Sequence, residues 1–255
     1  MLSHVLAVIS GSLIGFILAL IGGGGSILAT PLLLYVVGMK DPHLAIGTGA
    51  LAVSVNAFMN LASHARAGNV RWKIGALFAA TGVSGAFVGS SLGKLVDGQK
   101  LLLAFAGLMI AVALLMLRKR RDLGDAGHPP SLRRTLGVGG TGLAVGLLAG
   151  FFGIGGGFLI VPGLVMATRM RLIYAIGTSL LAVGVFGLTT AVNYAASGLV
   201  DWVVAAEYIA GGLLGGQIGL RLAVHLADRK NALNQVFAAV VILVAVYMIW
   251  RTLAG

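Results

Sequence analysis

Apolar residues along this chain fall into ten runs separated by short polar or glycine-rich breaks. Five lie in the first half, Val5–Ile21, Ser26–Val37, Leu44–Ser63, Ile74–Leu92 and Leu101–Leu117. Five lie in the second, Leu136–Phe152, Phe158–Thr168, Leu172–Ala196, Val203–Leu220 and Ala232–Trp250. Eight of these runs approach the ~17 to 25 residues that a helix needs to cross the hydrocarbon of a bilayer. The second run of each half does not: at ~1.5 Å rise per residue it covers less than about two-thirds of that thickness. Each short run follows a cluster of glycines, so the pattern predicts a broken or re-entrant helix at both places.

The two halves repeat. Gly22-Gly23-Gly24-Gly25-Ser26 with Pro31 returns as Gly153-Ile154-Gly155-Gly156-Gly157 with Pro162, and Gly11 and Gly15 return as Gly142 and Gly146, at a spacing of 131. At a spacing of 130, Ala45-Ile46-Gly47-Thr48 meets Ala175-Ile176-Gly177-Thr178, and Trp72 meets Trp202. The glycines Gly82, Gly85 and Gly89 likewise meet Gly212, Gly215 and Gly219. A period this long marks a duplicated domain rather than a solenoid. The organisation is a first membrane repeat over 1–117, a basic linker over 118–134 and a second membrane repeat over 135–255.

Composition agrees: 58% of residues are hydrophobic and 10% charged, far from the balance of a soluble domain. The fold class is therefore an all-α polytopic membrane protein. The net charge of +11 raises the question of a nucleic-acid partner. Most Lys and Arg sit between the apolar runs, where topology accounts for them, and no basic stretch is interleaved with aromatics, so no nucleic-acid partner is expected. Fourteen of the eighteen fall in 64–73, 118–134, 169–171 and 221–230, which share one side when each half carries an odd number of crossings. The other side holds Lys40, Lys94, Lys100 and Arg251. Positive-inside bias then makes the repeats inverted, with the linker cytoplasmic and both termini outside. The first run carries no Lys or Arg ahead of it and belongs to the repeat, so it reads as a membrane helix and not a cleaved leader.

In inverted repeats of this kind, broken helices place their breaks near the membrane midplane between the halves. Helices starting at Ser26 and Phe158 would turn free N–H groups and positive dipole ends inward, a site for an anion that needs no Arg or Lys. This makes Gly24, Gly25, Ser26, Gly155, Gly156 and Gly157 candidate substrate contacts. Close helix packing is the competing explanation, and it suffices for the glycine stripes at 82–89 and 212–219. Uncharged polar residues inside the runs add Thr48, Asn56, Thr178, Ser179, Asn193 and Gln217 as candidate donors, Thr48 and Thr178 most of all because they recur. Interhelical hydrogen bonding is the alternative for each. Glu207, the one acidic residue well inside a run, is a candidate proton carrier or an interfacial residue near Trp202. No histidine has ligand-like spacing and there is no cysteine, so no metal, cofactor or catalytic residue is expected.

The doubled G-x-x-x-G, the two glycine runs each followed by Pro, and the A-x-G-T segments resemble the TauE/SafE sulfite and organosulfonate exporters over essentially the whole chain. The first half departs mildly, with Gly23 against Ile154 and Ser26 against Gly157. The resemblance implies a multi-pass protein of a bacterial plasma (inner) membrane that exports a small anion such as sulfite or a sulfonate. Alternating access of the two halves would be the mechanism, with protons as a possible coupling ion. A passive anion channel is the rival. An intramembrane enzyme is disfavoured, because no Ser–His or carboxylate pair lies at helical spacing inside a run.

Overall fold

A computed structural model describes residues 2–21, 23–117, 132–153, 157–225 and 230–254, and all regular structure within them is helical. The first half runs α1 (Leu2–Ile21), a 3-10 stretch (Gly23–Leu28), α2 (Ala29–Leu32), a π stretch (Leu33–Val37), α3 (Pro42–Arg66), α4 (Trp72–Leu95) and α5 (Gly98–Leu117). The second runs α6 (Leu132–Phe152), α7 (Gly157–Thr168), α8 (Leu172–Ala195), α9 (Trp202–His225) and α10 (Lys230–Ala254). The ten apolar runs thus become ten helical segments with ends close to those expected. Among the described residues, five helices are long and apolar enough to cross a membrane, in α1, α3, α4, α6 and α8. Large apolar side chains such as Leu143, Phe87, Leu214 and Ile218 face outward from the bundle, as a lipid-facing surface requires.

Local chemistry sets the ends. Asp41 caps α3, its carboxylate accepting from the N–H of His43 at 2.8 Å, and Pro42 supplies the first turn. Asp97 and Asp201 cap α5 and α9 in the same way. The turns after α3 and α8 are copies of one another. Gly68 (φ 73°) and Gly198 (φ 70°) take the left-handed conformation, and the N–H groups of Asn69 and Leu199 reach back to the carbonyls of His64 and Tyr194 at 3.0 Å.

The packing crosses between halves. A Cβ on Gly11 or Gly15 of α1 would strike the carbonyls of Tyr208 or Gly212 on α9, and one on Gly142 or Gly146 of α6 would strike those of Phe78 or Gly82 on α4. These glycines exist to let two helix backbones touch, the G-x-x-x-G role. In both pairs residue numbers rise together, so α1 is parallel to α9 and α6 to α4. Gly212 and Gly216 lie against Asn56 and Asn60, which makes α3 parallel to α9, and Gly75 and Gly82 lie against Thr178 and Phe186, which makes α4 parallel to α8. The repeat mates α3 and α8, by contrast, are antiparallel. Gly47 lies by Tyr194, Gly187 by Ala50 and Ser54, and Ser54 Oγ donates to the Gly184 carbonyl at 2.7 Å. Three helices (α1, α3, α9) run one way and their three equivalents (α6, α8, α4) run the other.

Candidate functional site

Ser54 and Gly184 are equivalent residues at a spacing of 130, and they meet each other near the middle of α3 and α8. Their contact lies where the antiparallel α3 and α8 pack together. The two short segments also meet: α7 packs against the 3-10 stretch that follows α1. The 3-10 stretch, which contains Gly23, Gly24 and Gly25, and α7, which begins at Gly157, therefore lie side by side.

The breaks themselves differ from expectation in detail. The first does not open an α-helix at Ser26. Residues 23–28 wind as a 3-10 stretch and only Ala29–Leu32 is α-helical, so the aligned-dipole argument applies weakly on this side. Successive glycines carry no Cβ to favour α over 3-10 winding, which is the physical reason. Ser26 is fully buried, and a Cβ on Gly25 would lie 2.8 Å from the Leu18 backbone nitrogen of α1, so Gly25 has a packing role. Gly24 lies within the 3-10 stretch and Gly157 begins α7, which is a 12-residue α-helix as expected. Gly155 and Gly156 lie outside the described residues.

The recurrent A-x-G-T segments clamp one half to a loop of the other. Thr48 Oγ1 accepts a hydrogen bond from the Asp201 backbone N–H at 2.9 Å, and Thr178 Oγ1 accepts one from the Arg71 N–H, also at 2.9 Å. The preceding glycines make this possible. A side chain on Gly47 would collide with the carbonyl of Leu199, and one on Gly177 would approach that of Asn69 to 2.5 Å. Recurrence of the threonines thus has a structural cause, namely an acceptor for a part-buried backbone donor next to a helix start. Ser179, fully buried, donates back to the Ile176 carbonyl of its own helix at 2.7 Å.

Between these clamps the two halves differ in polarity. Asn56 projects from the middle of α3 onto Gly212 of α9 and is 1% exposed. Neither its Nδ2 nor its Oδ1 has a hydrogen-bond partner among the described residues. At the equivalent position of α8 stands Phe186, lying on Gly82 of α4 and stacked on Phe78 with ring centroids 6.1 Å apart. Phe78 in turn is the equivalent of Tyr208. One half thus has an amide at this position and a phenol, its O–H on the Ala29 carbonyl at 3.5 Å, one turn before Gly212, where the other half has two stacked phenyl rings.

The remaining candidates scatter. Asn193 joins a network at the Asp201 end: Lys94 Nζ donates to its Oδ1 at 2.8 Å, to its carbonyl at 3.0 Å and to Ser197 Oγ at 2.8 Å. The Asn193 Nδ2 donates onward to Ser90 at 2.6 Å and Ser91 at 3.0 Å. Gln217 is exposed on the outside of α9 beside Leu214 and Ile218, away from the others. Glu207 pairs with His4 of α1, Oε1 to Nδ1 at 2.6 Å, while its Oε2 is buried without a partner among the described residues. Among the described residues no cluster of His, Asp and Glu has the makings of a metal site.

Sequence reasoning missed Lys94 and Tyr208, and it passed over Thr30, whose buried hydroxyl has no partner among the described residues. Lys94, near the end of α4 and four residues before α5, enters the sequence reading only as one of the few basic residues on the less basic side. Its signal lay in the serine pair 90–91 one turn before it.

Comparison with known proteins follows this geometry. Residues 7–248 match the family model described as sulfite exporter TauE/SafE. The chain is 55% identical over 254 residues to a "Probable membrane transporter protein" of Xylella fastidiosa (strain Temecula1), covering 99% of this chain and 97% of that one. It is 27% identical over 271 residues to "Probable membrane transporter protein YunE" of Bacillus subtilis (strain 168), covering 98% of each. A "Probable membrane transporter protein" of Haemophilus influenzae is 27% identical over 201 residues, covering 76% of this chain and 74% of its own. No solved structure matches.

Proposed function

Since the chain belongs to the sulfite exporter TauE/SafE family, we propose that it is a secondary transporter of a bacterial plasma membrane that exports a small anion, sulfite or a sulfonate. It is an integral multi-pass membrane protein, and its relatives carry transporter names rather than enzyme names. The mechanism of this reading is alternating access of two inverted halves, residues 1–117 and 135–255, joined by a cytoplasmic linker at 118–134.

One observation carries it: the repeat mates α3 and α8 are antiparallel and cross at equivalent residues, Ser54 and Gly184. Duplicated halves of opposite direction are what an in-plane pseudo-twofold axis produces, and such transporters hold substrate at the interface of the repeats. The charge distribution supports the same orientation, because Arg66, Arg71, Arg169 and Arg171 all gather at one end of this bundle. The substrate contacts in this reading are backbone at the two breaks (Gly24, Gly25, Ser26, Gly155, Gly156, Gly157) and the neutral donors facing the junction. Glu207 is the candidate proton carrier, its buried Oε2, unpartnered among the described residues, being the supporting feature.

The test is flux in proteoliposomes against a panel of sulfite, sulfonates, sulfate and chloride. Saturable, counterflow-competent transport of sulfite or a sulfonate is expected. Non-saturating conductance without counterflow would replace the transporter with a channel. Orientation is checked separately on this cysteine-free background: Gly124→Cys should resist an impermeant thiol reagent added outside intact cells and react after permeabilisation.

A further inference from the structure

An unpaired primary amide is an expensive thing to bury. Placing it in a low-dielectric interior without a hydrogen bond costs on the order of 2–7 kcal/mol, and in a bilayer no water offsets it. Asn56 sits in the middle of α3 with donor and acceptor both unpartnered among the described residues. A leucine would fill the same volume without that cost. The lobe around it has the same character. Ser10 Oγ on α1 and Thr30 Oγ1 on α2 are also buried and unpartnered, and Thr30 lies beside Gly49 of the same α3. Space for the amide is provided by Gly212, where any side chain would collide with it.

The equivalent niche of the other half shows that the backbone does not require polarity. There Phe186 replaces Asn56, Phe78 replaces Tyr208 and Val161 replaces Thr30, and all three are buried. The mirror lobe keeps some polar groups, with Thr141 in the place of Ser10 and Thr190, buried and unpartnered among the described residues, in the place of Asn60. At the position of Asn56 itself a phenyl ring serves, so the amide there is an added feature and not a consequence of the fold.

Resting on the transporter reading above, the geometry points to a single off-axis anion station in the α1–α3–α9 lobe, with Asn56 as its central ligand and the Phe186–Phe78 niche as an apolar plug. The ligand is a small monoanionic oxyanion. The cost of desolvating an ion rises with the square of its charge, which favours a monoanion over a dianion. The lobe does hold titratable groups: Glu207 pairs with His4 between α9 and α1, and His64, two turns beyond Asn56 on α3, is buried with both ring nitrogens unpartnered among the described residues. The amide's two N–H groups donate to the anion's oxygens. Its free Oδ1 accepts from a ligand that carries its own O–H, as hydrogen sulfite does.

The experiment measures binding of sulfite at neutral pH, and proteoliposome flux, on the full-length protein purified in detergent. Asn56→Leu is expected to weaken sulfite binding about tenfold or more, the worth of one to two lost hydrogen bonds to a charged ligand, while its melting temperature holds or rises. Phe186→Leu, at the mirror position, is expected to keep affinity within about twofold, since no donor is removed. Should Asn56→Leu fail to fold, Asn56→Ala reads the same loss. Sulfite affinity unchanged in a folded Asn56 variant, or lost equally in Phe186→Leu, overturns the one-sided station while leaving the transporter reading in place. Sulfate binding as tightly as sulfite overturns the monoanion assignment. Absence of binding and flux for every anion tried in the unaltered protein removes the transporter reading and this inference with it.

Discussion

The two threonine clamps are the same device in different surroundings. At one end Gly47-Thr48 receives the Leu199–Asp201 loop, and at the other Gly177-Thr178 receives the Asn69–Arg71 loop, with matching 2.9 Å hydrogen bonds. Around them the likeness stops. The Asp201 end carries Lys94 tied across α4 and α8 through Asn193 and Ser197, with the Tyr194 ring 5.9 Å from the ammonium. The equivalents of Lys94 and Asn193 are Val224 and Ser63, so the sequence offers no such bridge at the Arg71 end. There Arg71 instead lies over the Tyr174 ring at 3.8 Å. What is written twice in this chain holds the halves together. What is written once distinguishes one end, or one lobe, from the other.

The strongest way to break that equivalence is to fill the clamp glycines. Gly47→Val and Gly177→Val should each cost about 3 kcal/mol, the upper range for overpacking, because each new side chain meets a backbone carbonyl that cannot swing away. Melting of the purified variants should fall by similar amounts, and a clear inequality between them would show that the clamps are not equivalent. Removing the acceptor is milder. Thr48→Val and Thr178→Val each take the hydroxyl acceptor away from a part-buried backbone N–H, for up to about 1.5 kcal/mol. Sulfite affinity per folded molecule should hold in both; a loss of affinity with unchanged melting would make the threonines ligands after all.

Lys94→Met sharpens the contrast, since it acts at one end alone. Loss of its hydrogen bonds to Asn193 and Ser197 should cost about 1 kcal/mol and loosen α4 from α8. A cysteine at Ser90 should then react faster with an impermeant reagent in the Lys94→Met background, and an unchanged rate would mean that the bridge holds nothing closed. The smallest effect on stability belongs to Glu207→Gln, whose partner His4 is 54% exposed, so the change should stay under about 1 kcal/mol. Its readout is functional: dependence of flux on the pH gradient should vanish, and persistence would make Glu207 an interfacial residue.

The number, length and breaks of the helices were legible in the sequence because bilayer thickness and glycine clusters leave few choices. Which helix touches which was not. The stripe at Gly211, Gly215 and Gly219 announces close approach, but nothing in it names α1 as the neighbour. Thr48 and Thr178 drew attention as candidate ligands because they recur, and their observed partners are backbone N–H groups, which have no letter in a sequence. Gln217 shares a helix with the buried glycines yet points outward, a matter of its angle about the axis. The 3-10 winding after α1 was equally hidden, since glycine restricts its backbone too little to announce a helix type. Asn56 was legible as a candidate, but its importance came only from seeing Phe186 in the matching place.

The Ser54–Gly184 contact has a mechanical side. With 25 and 24 residues, α3 and α8 are each about 36 Å long at ~1.5 Å per residue, and they pack along much of that length, from Gly47 beside Tyr194 to Phe58 beside Gly184, with the Ser54–Gly184 hydrogen bond close to halfway. If one helix tilts on the other, this midpoint is the fulcrum. Rocking one helix on the other by about 10° leaves it in place, yet carries the helix ends, about 18 Å away, through about 3 Å. Thr48 and Thr178 each lie six residues from the fulcrum, a lever arm of about 9 Å, so the same tilt displaces them by about 1.6 Å. That is enough to part a 2.9 Å hydrogen bond. Any such tilt therefore has to part a clamp, and the two threonine hydrogen bonds, together with the Gly47–Tyr194 packing beside one of them, resist it.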